Sequence, residues 1–253
     1  MYPLGKQFRM DLTKSKSDEK CIVKGDKYRF TILSERLIRL EYNVNGHFVD
    51  KPSQFALYRS FTYPNYQVKQ DNKFLEITKY FRLTYVKEMP FTGSKVDPMK
   101  NLKITLLSSK NENENRDWYY GHPEVRNMNG NMISEDVTIP NSLKRGLYSL
   151  EGFASIDDSN SLLFLEDGTF EQRETGSIDI YVFMYNKDFS LALSDYFKLT
   201  GNPSLIPRYA LGNWWSRNTA YNPDKVMDTI SHFERRKVPL AIFLLDKDWH
   251  YRD

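Results

Sequence analysis

Cysteine is almost absent: Cys21 stands alone among 253 residues, so no disulfide can form within the chain and no cysteine-based zinc site is available. Charge of one sign is lacking too. Lys and Arg total 36 against 33 Asp and Glu, a net of +3 with no dense basic block, so nucleic-acid binding draws no support. No apolar run is long enough to span a bilayer, and the N-terminus, Met-Tyr-Pro-Leu-Gly-Lys-Gln-Phe-Arg-Met, lacks the apolar stretch of a secretory signal. These absences make a cytoplasmic protein with no membrane partner the expectation. Also missing are a Gly-rich phosphate loop after a strand and a Gly-x-Ser-x-Gly elbow; His122, His232 and His250 are not spaced as metal ligands, and His47 sits beside an expected turn. No cofactor and no metal are expected.

Aromatic residues are plentiful at 15%, as sheets with large cross-strand side chains or sugar-stacking platforms require, and a sheet core alone accounts for them. Short strands are expected at Lys27 to Ser34, Leu37 to Tyr42, Phe74 to Ile77, Phe81 to Val86 and Leu102 to Leu107. Turn-prone Asn45-Gly46 and Asp71-Asn72 separate them. Ser108 to Asp117 is too polar to pack and reads as a surface loop, as does Asn127 to Asn141. Trp118 to Pro123 reads as an aromatic loop anchored in a core, or as a wall beside a sugar. Strands follow at Ser161 to Leu165 and Ile178 to Tyr185, with Asp167-Gly168 as the hairpin turn between them. Phe189 to Leu199 has helical spacing and is closed off by Gly201 and Pro203. Many short strands without long helices indicate an antiparallel sandwich.

The last stretch has a different grammar. Tyr209 to Ser216 and Leu240 to Leu245 are apolar runs, as parallel strands buried on both faces would be. Between them Asn222 is a good N-cap, Pro223 suits the first helical position and Asp224 puts a negative charge in the first turn. Val226, Met227, Ile230 and Phe233 share one helical face, and Pro239 closes the helix. Strand, helix, strand is the reading. One such unit cannot cover two wholly apolar strands, so further chain is expected to complete it.

Pro207-Arg-Tyr-Ala-Leu-Gly212, then Ser216-Arg217, Tyr221 and Asp246-x-Asp248-Trp249 resemble the opening of the catalytic barrel in glycoside hydrolase family 31, the α-glucosidase and α-xylosidase family. Gly146 to Ser159 resembles the family's block that ends in Asp-Asp-Ser, with Leu150 and Phe153 departing from its usual Arg and Trp. Arg29 to Tyr42 resembles its N-terminal sandwich. The resemblance implies a mainly β chain: an N-terminal antiparallel β-sandwich of galactose-mutarotase type over residues 1–185, a linker helix and connection over 186–206, and the first β-α-β unit of an incomplete (β/α)8 barrel over 207–253.

Retaining glycoside hydrolysis needs two carboxyl groups about 5 to 5.5 Å apart, one a nucleophile and one an acid and base. The resemblance puts both on later barrel strands, beyond Asp253, so these residues alone are expected to be inactive and no catalytic residue is assigned. What it does imply is substrate contact. Asp246 follows the last apolar residue of the second strand, at the edge where barrel enzymes gather active-site groups, and a carboxylate there can accept two sugar hydroxyls at once. Asp248, Trp249, Asp157 and Asp158 are the other implied contacts, the last two from a loop that the resemblance brings toward the active-site mouth. Arg217 reads as a buried ion-pair partner. The partner is then an oligosaccharide or α-glycoside, and barrel strands left exposed would favour self-association. Two other readings stand beside this one: a noncatalytic carbohydrate-binding or protein-interaction sandwich, and a scaffold domain that pairs through its apolar strands.

Overall fold

A computed structural model of the chain describes residues 5–6, 9–62, 64–72, 74–78, 80–92, 101–107, 116–130 and 144–246. The chain divides into two compact units, residues 1–202 and 203–253. The first is an antiparallel sandwich. Its strands in chain order begin with β1 (Ile22–Lys24), β2 (Tyr28–Ile32) and β3 (Leu37–Tyr42). Then come β4 (Gln67–Gln70), β5 (Phe74–Thr78), β6 (Phe81–Val86), β7 (Leu102–Leu106) and β8 (Arg116–Tyr119). The unit ends with β9 (Ala154–Asp157), β10 (Leu163–Phe164), β11 (Phe170–Glu171), β12 (Ile178–Phe183) and helix α1 (Phe189–Thr200). One sheet runs β1-β2-β3-β12-β9 and the other is the meander β4-β5-β6-β7-β8.

Alternation along the strands decides what each face does. Tyr28, Phe30 and Ile32 of β2, Ile38, Leu40 and Tyr42 of β3, and Ile180 and Val182 of β12 all point into one core. There they meet Phe81, Leu83 and Tyr85 of β6, Leu102, Ile104 and Leu106 of β7, and Trp118 of β8. The opposite face of the first sheet is buried too. Leu37, Tyr181, Phe183 and Tyr185 form a second core with Ala56 and with Ala192 and Leu199 of α1. Beside that core lies a row of buried charges. Arg29 pairs with Glu41 at 2.6 Å, Arg39 grips Asp179 with two bonds of 2.8 and 2.7 Å, and Arg173 bridges Asp179 and Asp158 at 2.8 and 2.7 Å. Register explains the row: Arg29 and Asp179 both lie opposite Glu41, while Arg39 lies opposite Tyr181.

Several expectations shift. The Asp167-Gly168 turn joins β10 to β11, not to β12, which pairs instead with β3 and β9. Trp118 is a buried strand residue rather than part of a loop, and Arg116 and Asp117, expected in a loop, begin that strand; 108–115 and 131–141 lie outside the described residues. Helix α1 belongs with the first unit. Leu199 O accepts the N–H groups of both Leu57 and Tyr58, each at 2.9 Å, and Gly201, at φ +91°, ends the helix where a side chain would be strained. Among the described residues no helix is long and apolar enough to cross a membrane.

The second unit holds β13 (Trp214–Ser216), helix α2 (Pro223–Arg235) and β14 (Ile242–Leu244), the two strands pairing in parallel. The first strand is shorter than expected, because Arg208–Leu211 winds into a 3₁₀ turn behind Pro207. Nor are these strands buried: Leu211 is 75% exposed and Trp214 51%, and Leu244 and Leu245 are exposed as well. The cause is simple. One helix covers one face of a two-stranded sheet, and among the described residues of the unit nothing covers the other.

Candidate functional site

In the second unit, a small set of local contacts fixes where the chain leaves β14. Asn222 caps α2, its side-chain oxygen accepting Lys225 N–H at 2.9 Å. At the other end Lys237 adopts φ +55° and the N–H of Val238 returns to Phe233 O at 3.0 Å, which turns the chain toward Pro239. Asn213 then hooks the next strand: its carbonyl accepts the N–H groups of Ala241 and Ile242, and its amide donates to Pro239 O at 2.9 Å. On the helix side Trp215 meets Phe233 edge-on at 5.3 Å and donates to the Tyr221 hydroxyl at 3.0 Å, while Tyr221 meets Phe243 at 5.2 Å. Trp214, the alternate residue, bonds Ala210 O through its indole N–H.

The parallel register puts Ser216 opposite Leu244, so Ser216, Arg217 and the residues after Leu244 leave the sheet at the same edge. By connectivity the N-terminus of α2 lies there too, and its free N–H groups favour oxygen ligands. Asp246, two residues past β14, is exposed on this edge. Asp248 and Trp249 lie outside the described residues. Arg217 is exposed and makes no ion pair among the described residues, contrary to its expected burial.

The Asp157-Asp158 pair divides. Asp157 ends β9, is exposed, and accepts the N–H of Ser159 in a tight turn. Asp158 is fully buried, bonded by Ser53 Oγ at 2.6 Å and by Arg173 at 2.7 Å. Its expected sugar contact gives way to a structural role, because as placed it offers a ligand no surface. Burial, with Asp179 nearby, pushes the Asp158 carboxyl up from its ordinary value. The two family departures also separate: Phe153 is buried and packs against His122 at 5.1 Å, and Leu150 is 56% exposed.

Glu124 escaped the sequence reading. It sits at φ +45° with its carboxylate buried, accepting the N–H of Ser155 at 2.9 Å, the Ser155 hydroxyl, and Asn127. This ties the 124–130 segment to β9. A short, polar neighbourhood gave no pattern that would have pointed to it. Burial pushes the Glu124 carboxyl up, against the hydrogen bonds that lower it. The raised value fixes a sign: Glu124 contributes stability that is fully present below its unfolded pKa and is lost as pH rises through its folded pKa. Lowering the pH from 7 toward about 4.5 should therefore stabilise the first unit relative to Glu124→Gln, with urea midpoints as the measurement. Equal pH slopes in both proteins would refute it.

No family model matches the chain. A curated α-xylosidase of Saccharolobus solfataricus is 35% identical over 74 residues, 29% of this chain and 10% of the relative. A solved Flavobacterium johnsoniae family 31 dextranase complexed with glucose matches with a TM-score of 0.54 at 15% identity, covering 89% of this chain and 32% of that one. A family 31 α-xylosidase from a soil metagenome, complexed with xylose, also has a TM-score of 0.54, at 11% identity, covering 90% of this chain and 40% of its own. The chain thus spans a tenth of the curated relative and a third or so of the solved ones. At these identities the solved structures show the shared fold.

Proposed function

We propose, from the premise that this chain resembles the N-terminal region of family 31 glycoside hydrolases, that it forms part of a retaining α-glycosidase acting on terminal α-linked sugars of oligosaccharides. In this reading residues 207–253 open a (β/α)8 barrel. The observation that supports it most is the parallel pairing of β13 with β14 across α2, which sets Asp246 at the C-terminal strand edge. An exposed carboxylate at such an edge accepts two adjacent sugar hydroxyls through charge-assisted hydrogen bonds, each roughly twice as strong as a neutral one. Asp248 and Trp249 follow in the chain as further sugar contacts, and Asp157, the exposed member of its pair, is another.

The pair of carboxyl groups that cleaves the bond lies outside these 253 residues in this proposal. The 253-residue protein should bind glucose weakly without turning over a chromogenic α-glucoside or α-xyloside. Asp246→Ala should remove the shifts that glucose produces at the amides of Phe243 to Asp246 in an NMR titration. Turnover by the wild type that Asp246→Ala abolishes would overturn the placement of the cleaving groups. Sugar binding indifferent to Asp246 would instead favour the noncatalytic module.

A further inference from the structure

We propose that the first unit carries a sugar-binding cleft of its own, about 770 Å³ in volume, formed by residues 58–62 and 64–65 and by the β2–β3 turn, which takes a short neutral oligosaccharide. The choice of sugar as ligand rests on the reading above; the cleft does not. Its volume falls within the range of small-ligand sites, about 300–1,000 Å³.

The chemistry of the lining is that of a polyol site. Tyr58, Ser60, Thr62 and Asn65 come from one segment and Ser34 from the turn, giving hydroxyls and an amide, while the rings of Tyr58 and Phe61, with Leu33 and Pro64, supply apolar surface. Charge of both signs is present in Lys14, Lys198 and Glu35, and Lys198 already pairs with Asp195 at 2.7 Å. Such a lining has little net pull on an anion or a cation. It suits neutral hydroxyls, with the ring face as an apolar platform.

The segment is held rigid from behind. Leu199 O takes the N–H of Tyr58, and Lys14 O takes the N–H groups of Arg59 and Ser60 at 2.7 and 3.1 Å. The Arg59 side chain is buried and anchored to Tyr181 Oη at 2.7 Å and to Lys51 O at 2.8 Å. With Arg59 turned inward, Tyr58 and Ser60 on either side of it turn outward into the cleft. A Cβ on Gly201 would come 3.3 Å from the Tyr58 ring, so the ring lies directly against bare backbone. Ser34 Oγ is 3.3 Å from Tyr185 Oη, which donates to Asp195. The groups a sugar would meet are therefore preorganised, and binding loses little ordering entropy.

The test is an NMR titration of the whole 253-residue protein with maltotriose. A millimolar Kd is expected, with shifts at the amides of Ser34, Ser60 and Asn65. Tyr58→Ala, at an exposed side chain, should weaken binding by roughly tenfold with the fold intact by thermal unfolding, and Asp246→Ala should leave these shifts unchanged. The cleft is refuted if saturating maltotriose leaves those amides still, if Tyr58→Ala binds as the wild type does, or if inorganic phosphate shifts them and maltotriose does not. Shifts confined to the cleft, with none near Asp246, would support this site and count against the role given to Asp246.

Discussion

Asp179→Ala should cost the first unit about 3–5 kcal/mol of unfolding free energy, because it strands buried arginines instead of removing a salt bridge from water. Asp179 is fully enclosed and accepts from Arg39 through both oxygens and from Arg173 through one. Arg39 keeps a contact of 3.1 Å to Glu41, but Glu41 is already held by Arg29, so the loss takes from Arg39 its two-bond partner and from Arg173 one of its two carboxylates. By contrast the exposed pair Lys16 and Glu19 should be worth less than about 0.5 kcal/mol when cut. Amide exchange at β3 and β12 is the measurement, since both strands belong to the first unit. A loss below about 1 kcal/mol would mean that water or rearrangement satisfies the arginines.

The same residue predicts an acid limb. Burial alone would raise the Asp179 carboxyl; Arg39, followed by Arg173, outweighs burial and holds it below the ordinary 3.8. A depressed carboxyl contributes stability that is present above its unfolded pKa and is lost as pH falls through the folded one. Wild-type stability should therefore drop below about pH 4, and Asp179→Ala should flatten that drop. Glu124 and Asp158, both raised, act with the opposite sign at higher pH, so the two windows are separable.

Why the row of buried charges is invisible in the sequence, while its strands are not, is a matter of range. Leu37–Tyr42 and Phe81–Val86 are strands with the bounds their apolar alternation predicts, and Asn222-Pro223 marks the start of α2 correctly. Local chemistry was enough for these. Charged residues at every second place, as in Arg29, Arg39, Glu41 and Asp179, read locally as a solvated face. Only the register, which brings Asp179 beside residues about 140 positions earlier, shows that they neutralise one another in the interior. Short or polar strands failed for a related reason. Gln67–Gln70 is exposed at all four positions, so it carries no burial pattern at all. At the candidate site, the place of Asp246 just past an apolar run was readable from Leu240 to Leu245, whereas the division of Asp157 from Asp158 depends on Arg173 and Ser53, neither of which the sequence links to them.

Gly212→Val should disrupt the parallel strand pair and with it the edge that carries Asp246. A Cβ at this position would lie 2.5 Å from Ala241 Cβ, closer than two carbons approach without something shifting, and a tight 3.1 Å from Tyr209 O. Its φ of −84° is open to any residue, so the constraint is space alone. Overpacking of this kind costs about 1–3 kcal/mol, and the second unit has one helix and two short strands with which to absorb it. Ala241 cannot retreat freely, since its N–H is bonded to Asn213 O at 2.9 Å. The expected result is loss of exchange protection at the Ile242 to Leu244 amides, with β3 and β12 unaffected. Because the clash is between two specific carbons, Gly212→Ala should be mostly rescued by Ala241→Gly, with a coupling of about 1–2 kcal/mol in the double-mutant cycle. Additive effects would show that Gly212 is needed for some other reason than the approach of Ala241, and that the strand edge is held by other contacts than those around Asn213.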